Sequence, residues 1–295
     1  MLKKYKPHLP QSFDRYIEPF FGGGAMFIWA YNQNPNAKFI INDVNEGIIS
    51  IYREIKDNLK DFQKRLELLE SEYLPLPKGE TNEKLEKDFE KDWHRLYKHL
   101  PCRRYFYFKL RLEHAYDYQK WTKTEEAATL YFLMKTGFNG IWQVNNNTNQ
   151  RFGTPFGLGN QKDSVYDGDV LKWWNKALQN AEICCEDFEG VVERWANEKS
   201  FVFMDPPYRD SFTQYDTDFH DKEQERVLSS LQHCRNKDAV GWLTNRDCGD
   251  DFFTSRWDNI FYFDVTYTAG RRKKTEEGFE AKPATEVLLY TKGNK

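Results

Sequence analysis

The segment Phe201-Val202-Phe203-Met204-Asp205-Pro206-Pro207-Tyr208 is a short apolar run followed by an acid, two prolines and a tyrosine. An uninterrupted apolar run of this length predicts a buried strand of a parallel sheet. Ligands of open α/β sheets bind beyond the carboxyl ends of such strands, so residues 205–208 are expected at a binding site. Because proline fixes φ and has no N–H, the proline pair holds the acid and the ring at a set separation. The Pro206 carbonyl is then available to accept a hydrogen bond from another molecule.

This combination of groups suits an exocyclic amine on a flat heteroaromatic ring. The lone pair of such an amine is delocalised into the ring, which makes the nitrogen a weak nucleophile. The Asp205 carboxylate and the Pro206 carbonyl can each accept one N–H and favour a pyramidal nitrogen, while Tyr208 stacks on the ring. These acceptors are catalytic only if they bind the transition state more tightly than the ground state. The structural alternative is an acid that caps a turn at the end of a strand.

A second motif, Tyr16-Ile17-Glu18-Pro19-Phe20-Phe21-Gly22-Gly23-Gly24-Ala25-Met26-Phe27, predicts a strand, a glycine-rich turn and a helix. Glycines at 22–24 allow the backbone to approach a ligand closely and to adopt positive φ. Their spacing matches neither the dinucleotide fingerprint nor a P-loop. The next apolar run, residues 39–42, ends in Asp43, where α/β nucleotide sites hold ribose hydroxyls. The two features together favour an adenosine-containing cofactor, and a tight strand-to-helix connection without a ligand is the alternative.

In their order along the chain, these motifs resemble those of the Dam-type DNA adenine N6-methyltransferases, which use S-adenosylmethionine. The resemblance runs over nearly the whole length. It also includes Gly137-Phe138-Asn139-Gly140, Phe152-Gly153-Thr154-Pro155-Phe156-Gly157, Cys185-Glu186-Asp187-Phe188, Leu243-Thr244-Asn245-Arg246-Asp247 and Glu286-Val287-Leu288-Leu289-Tyr290. It implies an α/β fold of the Rossmann-like methyltransferase type, with a mostly parallel sheet, an antiparallel edge and a helical and hairpin insertion.

The resemblance also implies roles for individual residues. The residues implied in catalysis are Asp205, Pro206, Pro207 and Tyr208. Those implied in cofactor binding are Glu18, Pro19, Phe20, Phe21, Gly22, Gly23, Gly24, Asp43, Asp187, Phe188 and again Asp205. The implied reaction is site-specific methylation of N6 of an adenine that is flipped out of double-stranded DNA, because a stacked and paired base cannot present its amine to the methyl donor.

Two departures from the family pattern affect what we expect. Lys135-Thr136-Gly137-Phe138-Asn139-Gly140-Ile141-Trp142-Gln143 lacks the Arg-rich pattern of GATC-specific members, so GATC is not assumed as the target. Met1-Leu2-Lys3-Lys4-Tyr5 begins about where the family's aromatic-x-Gly-Gly-Lys segment ends. In the family, that segment closes over the methionine end of the cofactor. Either the chain is shortened, or its true start lies upstream, or another element closes that end of the cofactor site.

Rival functions come from two other classes. One is a methyltransferase that acts on RNA or on cytosine N4, although the acid at position 205, where cytosine N4 relatives often carry Ser, favours adenine. The other is a catalytically silent DNA-binding module. The argument for it is that the family's amino-terminal segment is missing from this sequence.

Composition limits the class of protein and its compartment. Of the 295 residues, 39% are hydrophobic and 30% are charged, which is typical of a soluble globular protein. We expect a cytoplasmic protein, because neither a membrane-spanning run nor a signal-peptide core is present in the sequence. The five cysteines form no C-x-x-C pair, so neither a disulfide framework nor a zinc site is expected, and no metal is predicted.

The net charge of -3 means that a nucleic-acid binder must concentrate its positive charge. Arg271, Arg272, Lys273 and Lys274 are one candidate for phosphate contact, and a solvated loop is the alternative. Residues 103–111 interleave cations with aromatics and are a second candidate, although their aromatics suit a core equally well. For contacts to base edges, the candidates are Asn139, Gln143, Asn145 and Arg151, with Asn146 and Asn147 beside them, although runs of Asn often only form turns.

The order of predicted elements divides the chain into a core and an insertion. Strands and helices alternate over residues 15–58 and again from 164 onward, whereas residues 59–136 read as helical and residues 139–159 as a hairpin. We therefore predict a catalytic domain formed by residues 1–58 and 160–295 and an inserted target-recognition domain at 59–159. Double-stranded DNA is the expected partner, and a cognate restriction endonuclease is a further possible one.

Overall fold

The main sheet is built from the strands that the alternation predicts. The computed structural model of this chain describes residues 2–78, 102–144, 152–157, 163–209, 219–267, 273–275, 278–280 and 282–292. Its strands are β1 (Arg15–Glu18), β2 (Lys38–Asn42), β3 (Ala181–Cys184), β4 (Ser200–Met204), β5 (Val240–Arg246), β6 (Ile260–Tyr267), β7 (Lys273–Thr275), β8 (Gly278–Glu280) and β9 (Lys282–Tyr290). β7 and β8 pair with each other, and the other described strands form one sheet of seven.

The helices also follow the predicted order. Within the described ranges they are α1 (Leu2–Tyr5), α2 (Ala25–Gln33), α3 (Glu46–Asp57), α4 (Leu59–Tyr73), α5 (Arg103–Asp117), α6 (Lys123–Thr136), α7 (Gly168–Leu178), α8 (Phe188–Trp195) and α9 (Asp221–Asn236). Helix α7 begins later than its predicted start at residue 164. The reason is a cap, because the Asp167 carboxylate accepts hydrogen bonds from the N–H groups of Asp169 and Val170 at 2.9 and 3.2 Å.

The strand order explains where a ligand site can form. The order is β3-β2-β1-β4-β5-β9-β6, in which β1 to β5 are parallel and β9 runs antiparallel to both β5 and β6. The chain builds the sheet outward from β1 in one direction and then from β4 in the other, so β1 and β4 meet at the switch point. Open α/β sheets bind ligands at the carboxyl ends of the strands at that point. The predicted α/β fold, mostly parallel with an antiparallel edge, is therefore confirmed.

One face of the sheet is packed with aromatic rings. Side chains alternate between faces along a strand, so Tyr16, Phe39, Phe201 and Trp242 share one face. The ring of Tyr16 lies 5.7 Å from that of Phe201 and 6.0 Å from that of Phe39, and Phe201 lies 5.4 Å from Trp242. All four side chains are buried. Because Glu18 is two residues beyond Tyr16, its carboxyl group is directed to this same crowded face.

The opposite face carries aliphatic side chains and supports α8 and α9. The cluster that joins strands and helices there includes Ile17, Val202, Leu243, Val191 and Leu231. Each fully buried side chain of this size contributes about 1.5–3 kcal/mol relative to an exposed one. Residues at the ends of β4 and β5 are thus fixed from two sides, by aromatic packing on one face and by helix packing on the other.

The chain forms two compact units. One comprises Met1–Ile49, Ala177–Thr213 and Asp218–Lys295, and the other comprises Ser50–Lys176 and Gln214–Thr217. The predicted domain boundaries at 58/59 and 159/160 and the recognition role of the insertion stay predictions. No helix in the described parts of the chain is long and apolar enough to cross a membrane.

The second unit contains helices α4, α5 and α6 and the two arms of the predicted hairpin. Its arms run antiparallel, with an isolated bridge between Gly137 and Phe156, and the N–H of Gly153 donates to the Gln143 carbonyl at 2.6 Å. The arms approach so closely that a Cβ built at Gly157 would lie 2.5 Å from the Gly137 carbonyl oxygen. Only glycine fits at position 157, which accounts for that residue of the motif.

Candidate functional site

The tetrad at 205–208 follows β4 directly, at the carboxyl edge of the sheet. Thr244 of the adjacent strand β5 donates its hydroxyl hydrogen bond to Asp205 Oδ1 at 2.6 Å. The surrounding protein atoms raise the pKa of the Asp205 carboxyl group, and hydrogen bonds from Thr244 and Tyr208 oppose part of the rise. Asp205 is nevertheless exposed to solvent. A hydrogen-bonded carboxylate that stays open to solvent is available to a ligand.

The two proline carbonyls differ in their partners. The Pro207 carbonyl accepts a hydrogen bond from Gln224 Nε2 at 2.8 Å. Among the residues that the structure describes, no donor contacts the carbonyl of Pro206. Tyr208 is half-buried, and burial, followed by the Asp205 carboxylate, raises the pKa of its hydroxyl group. The tyrosine is therefore neutral over the whole ordinary pH range.

The glycine turn and Asp43 are joined by a direct hydrogen bond. The N–H of Gly22 donates to Asp43 Oδ2 at 2.9 Å, and the N–H of Asn45 donates to Asp43 Oδ1 at the same distance. Gly24 precedes α2 with φ of 65°, a left-handed conformation that favours glycine. A Cβ built at Gly22 or Gly23 would meet no atom within 4 Å, so open space lies beside the turn.

Glu18 connects the two motifs electrostatically. Its side chain is buried at the end of β1 and accepts a hydrogen bond from the Tyr16 hydroxyl at 2.7 Å. Burial raises the pKa of the Glu18 carboxyl group well above its usual value, and the negative charges of Asp205 and Asp43 raise it further. Glu18 thus lies close enough to the acids at both adjacent strand ends for their charges to oppose its ionisation.

Residues 185–188 are held at the neighbouring strand end by a buried asparagine. Asn42 donates to the carbonyls of Pro19 and Glu186, both at 3.0 Å, and its Oδ1 accepts from the Glu186 N–H at 3.0 Å. Asp187 caps α8 through the Glu189 N–H at 3.0 Å and accepts from Arg226 Nη2 at 2.7 Å.

The phenylalanines assigned to the cofactor site contribute in different ways. Phe188 is buried, and its ring lies 4.8 Å from that of Phe20, which is partly exposed. Phe21 is buried and packs edge-on against Phe27 at 5.7 Å. Phe20 and Phe188 therefore form one wall at the ends of β1 and β3, while Phe21 anchors the glycine turn to the core.

The predicted DNA-contacting residues are only partly described. Asn139 is exposed, with a left-handed φ of 54°, and Gln143 is half-buried. Asn145, Arg151, Arg271 and Arg272 lie outside the described residues, as do Asn146 and Asn147. For Lys273 and Lys274 only the backbone in β7 is described, so their predicted contacts stay predictions.

The second basic candidate, residues 103–111, is largely structural. Arg103, Arg104 and Arg111 are buried. Arg103 donates to the Leu74 carbonyl at 2.6 Å, and Arg111 donates to the Thr154 carbonyl at 3.0 Å. The alternative in which this segment belongs to a core fits these buried arginines, because the guanidinium groups of Arg103 and Arg111 donate to carbonyl groups inside the second unit.

Several residues that organise the site had no role assigned from the sequence. They are Thr244, Asn245, Gln224 and Arg209. The Arg209 guanidinium lies between the carboxylates of Asp221 and Asp250. Its Nε donates to Asp221 Oδ1 and its Nη1 donates to Asp250 Oδ1, both at 2.9 Å. Residues 243–247 matched a family segment, but the match did not show which side chain faces the tetrad. Within the described ranges, no group of three or more His, Cys, Asp or Glu side chains is placed to hold a metal ion.

Comparison with known proteins agrees with this geometry. The family model described as D12 class N6 adenine-specific DNA methyltransferase matches residues 1–268. The type II methyltransferase M.MjaIII of Methanocaldococcus jannaschii is 28% identical over 300 residues, which are 98% of this chain and 93% of that protein. M1.LlaDCHI of Lactococcus lactis subsp. cremoris, also a type II methyltransferase, is 26% identical and covers 98% of this chain and 91% of its own length. The DNA N-6-adenine-methyltransferase of Escherichia phage P1 is 28% identical over 83% of this chain and 28% of its own.

Proposed function

Because the chain belongs to the D12 class of N6 adenine-specific DNA methyltransferases and is therefore a DNA adenine methyltransferase, we propose that it uses S-adenosylmethionine in the cleft between the glycine turn and residues 205–208. The observation that carries this proposal is the convergence of Glu18, Asp43 and Asp205 at three adjacent strand ends. The glycine turn and the 205–208 tetrad therefore lie close enough to bring a bound methyl donor next to a bound methyl acceptor.

The residues of the cleft fit the chemistry of this cofactor. S-adenosylmethionine carries a sulfonium and an ammonium group, and it supplies an electrophilic methyl group when bound. The clustered carboxyl groups complement that positive charge, and Asp43 has the position at which α/β sites hold ribose hydroxyls. The open space at Gly22 and Gly23 gives the cofactor room to approach the backbone. Glu18, Pro19, Phe20, Phe21 and Gly24 would complete this side.

The far wall of the cofactor site is assigned to Asp187 and Phe188. The partly exposed Phe20 ring beside Phe188 offers an apolar surface for the adenine of the cofactor. Asp187 is the N-cap of α8, and its ion pair with Arg226 holds its carboxylate at the amino-terminal end of that helix.

Asp205 and Pro206 would act on the target amine. In the proposal, the Asp205 carboxylate and the Pro206 carbonyl each accept one N–H of the adenine N6 amine. This would direct the N6 lone pair at the methyl group that S-adenosylmethionine supplies when bound. The sulfur would keep the electron pair of the sulfur–carbon bond as the nitrogen–carbon bond forms, and the N6 proton would afterwards pass to solvent water beside the exposed Asp205. Because the proton leaves late, Asp205 acts as an acceptor and not as a strong base. Acceptors that are fixed in advance cost no reorganisation during the reaction.

Tyr208 would hold the flipped base. Extruding a base from a duplex costs a few kcal/mol, and stacking on an aromatic side chain returns about 1–3 kcal/mol per base. A neutral, half-buried ring next to Asp205 supports this role for Tyr208. Pro207 would act through its backbone, as a rigid spacer between the amine-binding groups and the ring.

Recognition of double-stranded DNA is assigned to the predicted insertion and to residues 271–274. Asn139, Gln143, Asn145 and Arg151 are proposed to contact base edges, while Arg271, Arg272, Lys273 and Lys274 contact phosphates. A DNA substrate supports a cytoplasmic location, and the type II names of the relatives suggest a cognate restriction endonuclease as a partner.

The experiment that tests the proposal is methyl transfer from labelled S-adenosylmethionine to unmethylated DNA, followed by identification of the modified nucleoside. We expect N6-methyladenine with the native protein and with Asp264→Ala, an exposed acid on β6. Asp205→Ala should abolish transfer and leave cofactor binding, measured by calorimetry, largely intact. Label in N4-methylcytosine or in RNA, or full activity of Asp205→Ala, would contradict the assignment.

A further inference from the structure

Two fully buried amides connect the tetrad to the neighbouring elements. Gln224 lies in the first turn of α9, and Asn245 lies near the end of β5. Asn245 Oδ1 accepts from the N–H groups of Arg209 and Arg246 at 3.0 and 2.9 Å, and its Nδ2 donates to Gln224 Oε1 at 2.9 Å. Gln224 Nε2 in turn donates to the Pro207 carbonyl at 2.8 Å.

The chemistry at the two ends of this relay sets its direction. A backbone carbonyl can only accept a hydrogen bond, and a backbone N–H can only donate one. The Pro207 carbonyl therefore requires the NH₂ group of Gln224. The Arg209 N–H requires the oxygen of Asn245, and this leaves the Asn245 NH₂ group to meet the Gln224 oxygen. Each position in the relay needs a group that donates on one side and accepts on the other.

The relay holds both peptide groups that flank Tyr208. The Pro207 carbonyl belongs to the peptide before Tyr208, and the Arg209 N–H belongs to the peptide after it. Fixing both peptide planes fixes the backbone dihedrals of Tyr208 and hence the direction in which its ring leaves the chain. On the opposite face of β5, Thr244 holds Asp205, so consecutive residues of one strand restrain both ends of the tetrad.

We propose that Gln224 and Asn245 are positioning residues that set the orientation of Tyr208 and of the adjacent Pro206 carbonyl for methyl transfer. This inference rests on the proposed function of the same site. In this proposal neither amide touches the substrate or the cofactor. Their effect is expected in the rate of methyl transfer, because groups misplaced by a fraction of an ångström lose preorganised transition-state interactions while ground-state binding changes little.

The substitution Gln224→Glu tests the relay with a nearly isosteric change. An ionised glutamate would face the Pro207 carbonyl with an oxygen, so two acceptors would oppose each other. A protonated glutamate restores a donor to that carbonyl and an acceptor for Asn245. Protonation of the introduced glutamate should therefore restore the hydrogen bond, and the activity of the variant should recover as the pH is lowered. Gln232→Glu is the matched control, since it makes the same change of charge on the exposed surface of the same helix.

The measurements are single-turnover methyl transfer to unmethylated DNA, affinities for S-adenosylmethionine and DNA, and thermal unfolding, each across a range of pH. At alkaline pH we expect Gln224→Glu to be roughly ten- to a hundredfold slower than Gln232→Glu, the usual range for an unsatisfied buried acceptor. Cofactor and DNA affinities should agree within about twofold, because neither amide contacts a ligand in this proposal. The ratio of the two rates should rise towards one as pH falls, which cancels any pH effect common to both proteins.

Other outcomes overturn the inference. Equal rates for Gln224→Glu and Gln232→Glu would show that the relay does not govern transfer. A rate loss that tracks lower cofactor affinity and lower thermal stability, with no recovery at low pH, would show a purely structural role. Gln224→Leu removes the donor without adding charge, so it should be slow at every pH and serves if the glutamate variant does not fold. If the native protein and Gln232→Glu both fail to methylate DNA, the proposed function fails and takes this inference with it.

Discussion

Thr244→Val removes the hydroxyl that donates to Asp205, together with its longer contact to the Met204 carbonyl and its hydrogen bond with Tyr208, while the shape of the side chain stays almost the same. In the native protein the Thr244 hydroxyl lies 2.6 Å from Asp205 Oδ1 and lowers the pKa of that carboxyl group. A hydrogen bond to a charged group is worth about 1.5–3 kcal/mol, and each pKa unit corresponds to about 1.4 kcal/mol. Since Asp205 is exposed and water can replace part of the bond, the low end applies. We expect the pKa of Asp205 to rise, since a bond at the low end of that range corresponds to about a tenfold change in the ionisation equilibrium.

The sign of the effect on activity follows from the proposed role of Asp205. Its ionised form accepts an N–H of the target amine, so activity falls as the pH drops through its pKa. In Thr244→Val the acid limb of the profile of kcat/KM against pH should therefore move to higher pH by about one unit, with rates about tenfold lower on that limb. Well above both pKa values the two enzymes should differ much less.

The profile of kcat/KM for methyl transfer to unmethylated DNA is the assay, with Thr266→Val as its control. Thr266 is exposed on β6 of the same sheet, so its substitution makes the same chemical change away from the cleft. An acid limb that coincides in Thr244→Val and Thr266→Val would refute the reasoning, because the hydrogen bond would then have no influence on the ionisation that controls the rate. A uniform loss at all pH values would point to altered geometry instead.

Three further predictions concern other parts of the site. Tyr208→Ala should lower methyl transfer far more than Tyr208→Phe or Tyr208→Trp, by about ten- to a hundredfold, because the ring face and not the hydroxyl holds the base; equal losses in single-turnover assays would remove stacking from the mechanism. Glu18→Gln should raise the thermal unfolding temperature of the free protein at alkaline pH. The raised pKa of Glu18 means that its ionised form destabilises the fold, so the native protein loses stability as the pH rises through that pKa. The same change should weaken binding of S-adenosylmethionine in calorimetry, and unchanged stability at every pH would contradict it. Neutralising residues 271–274 should weaken binding to all DNA sequences and reduce the salt slope by about 0.9 for each phosphate that the protein no longer neutralises; an unchanged slope would remove these residues from the interface.

The sequence predicts the sheet and the ends of its strands well, because apolar runs and the turn residues after them are local signals. Residues 201–204 and 39–42 form strands where the pattern placed them, and Asp205 and Asp43 follow those strands as expected. The glycine turn was equally readable, because a left-handed φ at Gly24 is a property of one residue.

The sequence could not reveal the contacts that cross between elements. Gln224 reads as one polar residue among many on a charged helix, and only the packing of α9 on the aliphatic face of the sheet brings it to Pro207. In the sequence, the arginines of residues 103–111 resemble a phosphate-binding patch, because the contacts that bury them are also made between separate elements. Their burial depends on carbonyl groups from Leu74 and Thr154, which are distant in sequence.

The strand ends at the switch point combine two opposing requirements. A parallel sheet brings Glu18, Asp43 and Asp205 to adjacent strand ends, where desolvation raises the pKa of all three carboxyl groups in the free protein. The charges of Asp205 and Asp43 raise the pKa of Glu18 further. The hydrogen bonds from Tyr16, Gly22 and Thr244 favour the ionised forms and so offset part of that cost. A cationic cofactor would offset more of it, because a positive charge next to the cluster lowers all three pKa values. Binding of the cofactor should therefore release protons near the raised pKa values, and it should stabilise the fold more strongly than its contact area alone implies. The hydrogen bonds that Tyr16, Gly22 and Thr244 donate to these carboxyl groups should therefore stabilise the fold most when no cation is bound.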